Sequence, residues 1–433
     1  MPDDPGARGG RVGRTARVDD VVDVVVVGLG VAGATTLWSL ARAGLRAVGV
    51  EQHEPGHVHG GSHGGTRLFR RLHWEGAHYP ALADRSLARY RELEAESGTT
   101  LLTPCAHAVV GPGDGPLVGR TRAVAQRCGT SVQVLRSRAA ARAVPHLALR
   151  TDDTVLLDRA AAVVRPEATV RAAVACAAAR GAQVLVGRVV REVRDGADGV
   201  VVVLDDRVLR ARRVVLATGA WLATGEAARV VGAPARRVVQ AWFRPVHAVD
   251  RRAPVDPARV GTSVDAPPGS IWPAFVRQVG GDRFWGLPDV DGRGVKIGGS
   301  SRLLDPDRLG AGRAGPPSAD ETTSVVDFVR TWVPALAPDP VAASACVDAY
   351  TSDGDFLVGR VPGTLRLVVC GGFSGHGFTH AAAVGDLVAA LCGPAGPSAT
   401  DVELLRPHDP ARTARASRTD HVPVQRPAPA TTP

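Results

Sequence analysis

Residues 21–28 read VVDVVVVG, a β-branched run with a single acid and no regular alternation of polar positions. A half-exposed strand would alternate, so a run this apolar predicts a central strand of a parallel sheet covered on both faces. After a turn, residues 34–43 (ATTLWSLARA) carry apolar positions at helical spacing and end at Gly44, a residue suited to the left-handed position that closes helices. LRAVGVE is again strand-like, so residues 21–51 predict one βαβ unit.

A second strand-rich stretch follows a predicted helix at 168–180. GAQVLVGRVVREV and GVVVVLDDRVL read as strands around a DGADG turn and lead into RRVVLATGAW. Between 236 and 345 the pattern becomes strands punctuated by Pro and Gly, such as RRVVQAWFRPVHAV, RFWGLP and GVKIGGS, with one helix at 319–332. The chain then returns through FLVGR and LRLVVCGG to an Ala-rich helix at 379–392. Residues 1–20 and 408–433 lack hydrophobic period, are rich in turn formers and Arg, and are expected to be disordered tails. No internal repeat is visible.

At 433 residues the chain is long enough for roughly two to three domains. With 45% hydrophobic and 22% charged residues, global disorder is excluded. No apolar run approaches the ~20 residues that span a bilayer, and the first twenty residues hold no apolar signal core, so a cytoplasmic protein with no membrane partner is expected. Of the formal charge of +9, the segment 407–433 supplies four Arg against two Asp, and the remaining charge of about +7 is spread over the body without a basic block or a nucleic-acid motif, which argues for an Arg-rich solvated surface and against nucleic acid. Six cysteines are widely spaced, with no C-x-x-C and no His pair at ligand spacing, so neither a disulfide framework nor a metal site is expected. Of the 52 basic residues only Lys296 is a lysine. A chain so committed to Arg that retains one Lys makes that Lys a candidate for work a guanidinium cannot do.

The chemical signal opens at Gly28-Leu29-Gly30-Val31-Ala32-Gly33, directly after the first strand, with Glu51 at the end of the second. Gly28 allows the tight turn, Gly30 lets backbone N–H groups approach a pyrophosphate, and Gly33 allows close helix–strand packing. The Glu51 carboxylate can accept from a ribose hydroxyl. An acidic ribose partner disfavours NADP and leaves NAD and FAD. Related segments return at VVLATGAW and VVCGGFSGHGF, which suggests a cofactor contacted along its whole length. The predicted fold class is α/β (α+β): a discontinuous Rossmann-like domain from 21–101, 155–235 and 346–407, with an inserted, mainly antiparallel substrate domain from 102–154 and 236–345.

GLGVAG with Glu51, GSHGGTRLFR (61–70), GAW (219–221), GLP and GVKIG (286–298), CVDAYTSDGDF (346–356) and GGFSGHGF (371–378) occur in one order. In that order the chain resembles the monomeric sarcosine oxidase and N-methyltryptophan oxidase branch of the D-amino-acid-oxidase-like flavoproteins, over about 21–407. The resemblance implies FAD held covalently through a cysteine thioether, and Cys346, ten residues before Phe356, has the family's spacing. It also implies that Lys296 lies over the flavin and assists O2 activation, a role suited to a compact ammonium. Arg67 is expected beside the flavin, and Arg70 on a substrate carboxylate, where a planar fork suits bidentate recognition. His63 is expected near the flavin, with an ordinary loop histidine as the alternative; Ser62 and Thr66 of the same stretch are cofactor candidates. Gly372, Gly375, His376, Gly377, Phe378 and Thr379 would place a helix N-terminus at the flavin. Gly219 and Trp221 join the cofactor candidates, although a tryptophan there more often packs in the core.

Three positions depart from the sarcosine oxidases. Thr379 replaces a substrate-binding lysine, Ser300 replaces a histidine, and Asp348 replaces a tyrosine. One cation lost and one anion gained argues against sarcosine itself. The expected substrate is a larger or more cationic secondary or cyclic amine or amino acid, with Asp348, Ser300, Arg70 and Thr379 facing it. The expected reaction is oxidation of a C–N bond to an imine, with O2 reduced to H2O2, by a monomer. The alternatives are an FAD-dependent dehydrogenase using another acceptor, and a non-catalytic flavin-binding protein.

Overall fold

The computed structural model describes residues 21–224, 233–246, 272–299, 301–304 and 315–412. Ser300, the expected tail at 1–20 and residues 413–433 of the tail expected from 408 lie outside the described residues. The first residues of that second tail, 408–412, are described, and His408 closes a 3-10 turn with its side chain buried, so the order of the chain extends past the expected boundary.

Eight strands form the first sheet: β1 (Val22–Val27), β2 (Ala47–Glu51), β7 (Gln183–Val186), β8 (Val190–Gly196), β9 (Gly199–Leu204), β10 (Val208–Leu216), β17 (Leu357–Arg360) and β18 (Leu367–Gly371). Their order is β17-β18-β10-β1-β2-β7, parallel from β18 to β7, with β8 and β9 folding back from β10 as an antiparallel meander. The unbroken apolar run of β1 follows from this placement. Val24 and Val26 face a core built with helices, while Val25 and Val27 face a second core roofed by β9.

The helices are α1 (Val31–Arg42), α2 (Tyr79–Ser97), α3 (Pro116–Cys128), α4 (Ser137–Ala143), α5 (Pro166–Ala179), α6 (Ala319–Trp332), α7 (Gly377–Cys392) and α8 (Ala399–Leu405). Eleven of the twelve residues of α1 are buried, because α5 and α7 flank it on the sheet. Such an approach needs small residues: a Cβ on Gly385 of α7 would lie 2.6 Å from the backbone of Thr35. The Thr35 hydroxyl donates across the gap to Ala381 O at 2.9 Å. α6 and α8 each begin with a capping box, Ser318 with Glu321 and Ser398 with Asp401.

The second sheet has ten strands: β3 (Arg67–Phe69), β4 (Leu102–Pro112), β5 (Gln133–Arg136), β6 (Asp153–Val164), β11 (Ala235–Phe243), β12 (Ala274–Val279), β13 (Asp282–Leu287), β14 (Val295–Gly298), β15 (Arg302–Leu303) and β16 (Ala342–Ala349). All its pairings are antiparallel except β4 with β12. β3, all of β6 and all of β16 belong here, which moves the boundaries at 155 and 346 read from the sequence. β6 runs straight into α5 with only Arg165 between them, yet its ladder bonds go to β4 of the second sheet while α5 packs on the first. No described helix is long and apolar enough to cross a membrane.

Candidate active site

A cavity of about 520 Å³ lies between the two sheets, with Gly30 to Ala32 at the α1 N-terminus on one wall and Gly375 to Thr379 at the start of α7 on another. Both helix N-termini favour negative charge, so the space suits a long anionic ligand that loads charge at two places. The Gly28–Gly33 turn is shaped for close approach. Gly28 sits at φ +86°, and a Cβ there would come 2.7 Å from Ala217 O; a Cβ on Gly33 would come 1.8 Å from Gly28 O. Ser62 Oγ accepts from Val31 N at 2.9 Å, and Glu51 accepts from Leu29 N at 2.7 Å and His53 N at 3.0 Å. Burial pushes the Glu51 carboxyl up, but His57 and these backbone donors outweigh it and hold it below its ordinary value. Gly28, Gly33 and Glu51 thus set the turn without lining the cavity itself. This glycine cradle fits a dinucleotide such as FAD.

Cys346 lines the cavity on β16. Its Sγ receives Arg67 Nη2 at 3.0 Å and Gln240 Nε2 at 3.4 Å, and lies 3.3 Å from His63 Nε2. Burial alone would raise the thiol, as it does for Cys105, Cys370 and Cys392, each pushed up to about 12. Here the Arg67 charge, the His63 contact and the Lys296 charge override burial and bring Cys346 down to about 7. A thiol ionised near neutrality on a cavity wall is a nucleophile.

The loop 61–66 holds the cations against that sulfur. Gly64 (φ +99°) and Gly65 (φ +75°) turn it, and their N–H groups donate to Glu167 at the start of α5, at 2.8 and 3.1 Å. Arg67 donates to Gly61 O and Thr66 O, both at 2.9 Å, and sits 5.7 Å from the Phe378 ring. Lys296, on β14 and 1% exposed, donates to Gly64 O at 3.0 Å and to Thr66 O, between the rings of Trp242 and Trp285. Burial first, then the neighbouring Arg67, carries its ammonium well below the ordinary lysine range. His63, Thr66 and Lys296 stand behind the wall, and Arg67 and Ser62 stand on it.

Arg70 and Asp348, expected at the substrate end, both line the cavity and both carry partners within the chain. The Arg70 fork is on the wall but already engaged: both its Nη atoms pair with Glu75, and Nη1 also donates to Leu72 O at 2.6 Å, with Trp74 stacked at 3.9 Å. Despite burial, the Arg70 charge keeps Glu75 ionised, well below the usual carboxylate range. Asp348 also faces the cavity, but its two oxygens accept from Ala349 N (2.8 Å) and Gly375 N (3.0 Å), tying β16 to the turn before α7. Burial raises its carboxyl above the ordinary value. Thr379 lines the cavity and donates to Leu68 O at 3.1 Å.

Gly372 (φ +63°), Ser374 (φ +50°) and Gly375 (φ +84°) form the turn, and His376 caps α7. Gly375, His376, Gly377 and Phe378 line the cavity, while Gly372 only shapes the turn. Gly219 lines it in a 3-10 turn (Gly219–Ala223), but Trp221 packs on Ala220, Ala235 and Val347 instead. Sequence reasoning missed Glu75, Trp74, Trp285, Arg236, Arg283 and Tyr350 on the wall. Only Glu75, five residues beyond Arg70, carried a local signal.

Residues 23–391 match the family described as FAD dependent oxidoreductase. The chain is 29% identical over 399 residues to a monomeric sarcosine oxidase of Streptomyces avermitilis, covering 90% of this chain and 98% of the relative. It is 26% identical over 371 residues to an N-methyl-L-tryptophan oxidase of Citrobacter koseri, covering 84% and 93%. Among solved structures it is similar to the open form of NikD, an unusual amino acid oxidase essential for nikkomycin biosynthesis. That likeness has a TM-score of 0.73 and 23% identity, covering 90% of this chain and 98% of that one.

Proposed function

Because the chain belongs to the FAD dependent oxidoreductase family, we propose that it oxidises a C–N bond of a secondary or cyclic amine or amino acid to an imine, with Cys346 as the covalent anchor for FAD. The observation that carries this reading is the Cys346 thiol, brought to about 7 on the wall of the cavity that begins at the dinucleotide cradle. The names of the sarcosine and N-methyltryptophan oxidase relatives supply the bond type.

FAD, when bound, supplies the two-electron acceptor for the amine and passes the pair to O2, giving H2O2. The chain's residues bind and orient. Gly30 and Ala32 at the α1 N-terminus line the cavity where they would hold the pyrophosphate, and the α7 N-terminus lines the wall that would take the ring system. Arg67 places positive charge on the cavity wall, where it would favour negative charge developing on oxygen, and Lys296, directly behind that wall, would add to it when protonated. Trp74, Trp285 and Phe275 give the substrate end an apolar lining that suits a body larger than a methyl group. Thr379 leaves that end one cation short of the sarcosine oxidase pattern and Asp348 puts a carboxyl where that pattern has a tyrosine, which argues against sarcosine as the substrate.

The test begins with the visible spectrum of purified protein, followed by acid precipitation. Yellow colour stays with the pellet of the wild type and moves to the supernatant for Cys346→Ser; wild-type flavin in the supernatant refutes the covalent anchor. Amines that bleach the flavin are then scored for H2O2. In Lys296→Met, flavin reduction by such an amine is expected to hold near its wild-type rate while reoxidation by air slows by about 10²–10³. Bleaching that persists in air in the wild type replaces the oxidase with a dehydrogenase.

A further inference from the structure

Behind the α7 end of the cavity, His78, Asp355 and His408 come together from three distant parts of the chain. Each offers one ligand atom, and these atoms lie within 4.8 Å of one another; no other such group occurs among the described residues. His78 Nε2 lies 2.9 Å from Asp355 Oδ1. His408 is 1% exposed, and neither of its ring nitrogens has a hydrogen-bond partner. Burying an imidazole with both nitrogens unsatisfied is costly, and a lone pair directed at a cation removes that cost for one of them. His107, His146 and His380 also lack partners, but no comparable set of ligands surrounds them.

We propose that His78, Asp355 and His408 form a binding site for a divalent transition-metal ion of the zinc class. Two imidazoles and one carboxylate suit zinc, cobalt or nickel and not calcium or magnesium, which prefer all-oxygen shells. Three protein ligands leave a fourth position for water. The surroundings hold the set in place. Tyr79 Oη donates to Asp355 Oδ1 at 2.8 Å, and Arg412 Nη2 (2.7 Å) and Thr351 Oγ1 (2.7 Å) donate to Asp355 O. The His408 ring stacks on Phe356 at 4.9 Å. His78 and Asp355 are about a quarter exposed, which gives an ion a path from solvent. To bind it, His78 gives up its hydrogen bond to Asp355, and both side chains turn toward His408.

The ion would tie the start of α2, the loop before β17 and the segment after α8 to one point. Phe356, next to Asp355, packs at 4.7 Å on His376 of the cavity wall, so the site braces that wall from outside. It takes no part in oxidising the amine, and the proposal stands apart from that chemistry.

The test uses full-length, flavin-loaded protein stripped with a chelator and titrated with Zn2+ by calorimetry. One equivalent is expected to bind with a Kd in the micromolar range or tighter, and to raise the thermal midpoint. His78→Gln, at a partly exposed position that tolerates change, is expected to weaken that binding by about a hundredfold or more and to remove the thermal shift; Asp355→Asn does the same. Absence of one-equivalent binding overturns the proposal. Binding that His78→Gln leaves undiminished overturns it as well, since the ion then sits on other histidines.

Discussion

At the α1 end of the cavity the Gly28–Gly33 turn is shaped by backbone and the absence of side chains, while at Cys346 the chemistry is set by charges brought from separate strands. The first region is one contiguous piece of chain in which what matters is the absence of side chains. The second joins Cys346 of β16, Lys296 of β14, Arg67 of β3 and Gln240 of β11, which meet only because the ten-stranded sheet is built. Steric demands are therefore local and severe, whereas electrostatic ones are distributed and graded.

Gly33→Ala tests the steric half and has the largest expected effect. Its Cβ would meet Gly28 O at 1.8 Å, a backbone atom that cannot step aside, so the variant is expected to lose at least ~3 kcal/mol of stability and to purify without flavin. Thermal unfolding and the visible spectrum decide. A yellow variant of native stability would mean that α1 can shift, and the cradle would then be no more rigid than the charged wall.

Arg67→Met tests the electrostatic half. Folded Cys346 ionises near 7 and a free thiol near 9, so flavin-free protein gains stability as pH rises from about 7 to 9 and loses it as pH falls back through 7. Without the Arg67 charge the thiol moves upward, toward the values near 12 of Cys105, Cys370 and Cys392. Attachment of FAD to apoprotein at pH 7 is expected to slow by about tenfold for each unit of that rise, and to recover as pH is raised toward the variant's new thiol pKa. A pH profile identical to wild type would assign the low thiol pKa to His63 and Lys296 alone.

The same division explains what could be read from the chain. The helix expected at 34–43 occupies 31–42, that at 319–332 matches, and that at 379–392 begins at 377, since periodicity and capping are local. The glycines of the cradle were legible for the same reason. The engagement of Arg70 was not: a fork five residues from Glu75 can equally turn to solvent or substrate, and only packing under Trp74 decides. Nor was the tie that Asp348 makes to the turn before α7, since its bond from Gly375 N crosses 27 residues. His78 and Asp355 are 277 residues apart, so no spacing rule could pair them. The strand at 153–164 gave no such local signal: it runs into α5, which packs on the first sheet, while its ladder bonds go to β4 of the second.

Glu51→Gln sharpens the comparison with the smallest effect, because it places a charge change inside the backbone-built region. Both Glu51 oxygens accept backbone N–H groups, from Leu29 at 2.7 Å and His53 at 3.0 Å. Glutamine keeps one acceptor and turns an NH2 toward the other donor, so one hydrogen bond is lost, worth about 1–2 kcal/mol. The glycine turn needs no charge to hold its shape. The variant is therefore expected to fold, to stay yellow, and to take up FAD as apoprotein with about tenfold weaker initial binding, measured by flavin fluorescence quenching. Colourless protein would instead show that the carboxylate holds Leu29 N–H in the turn as firmly as Gly33 holds the helix, and that the cradle depends on charge no less than the Cys346 wall does.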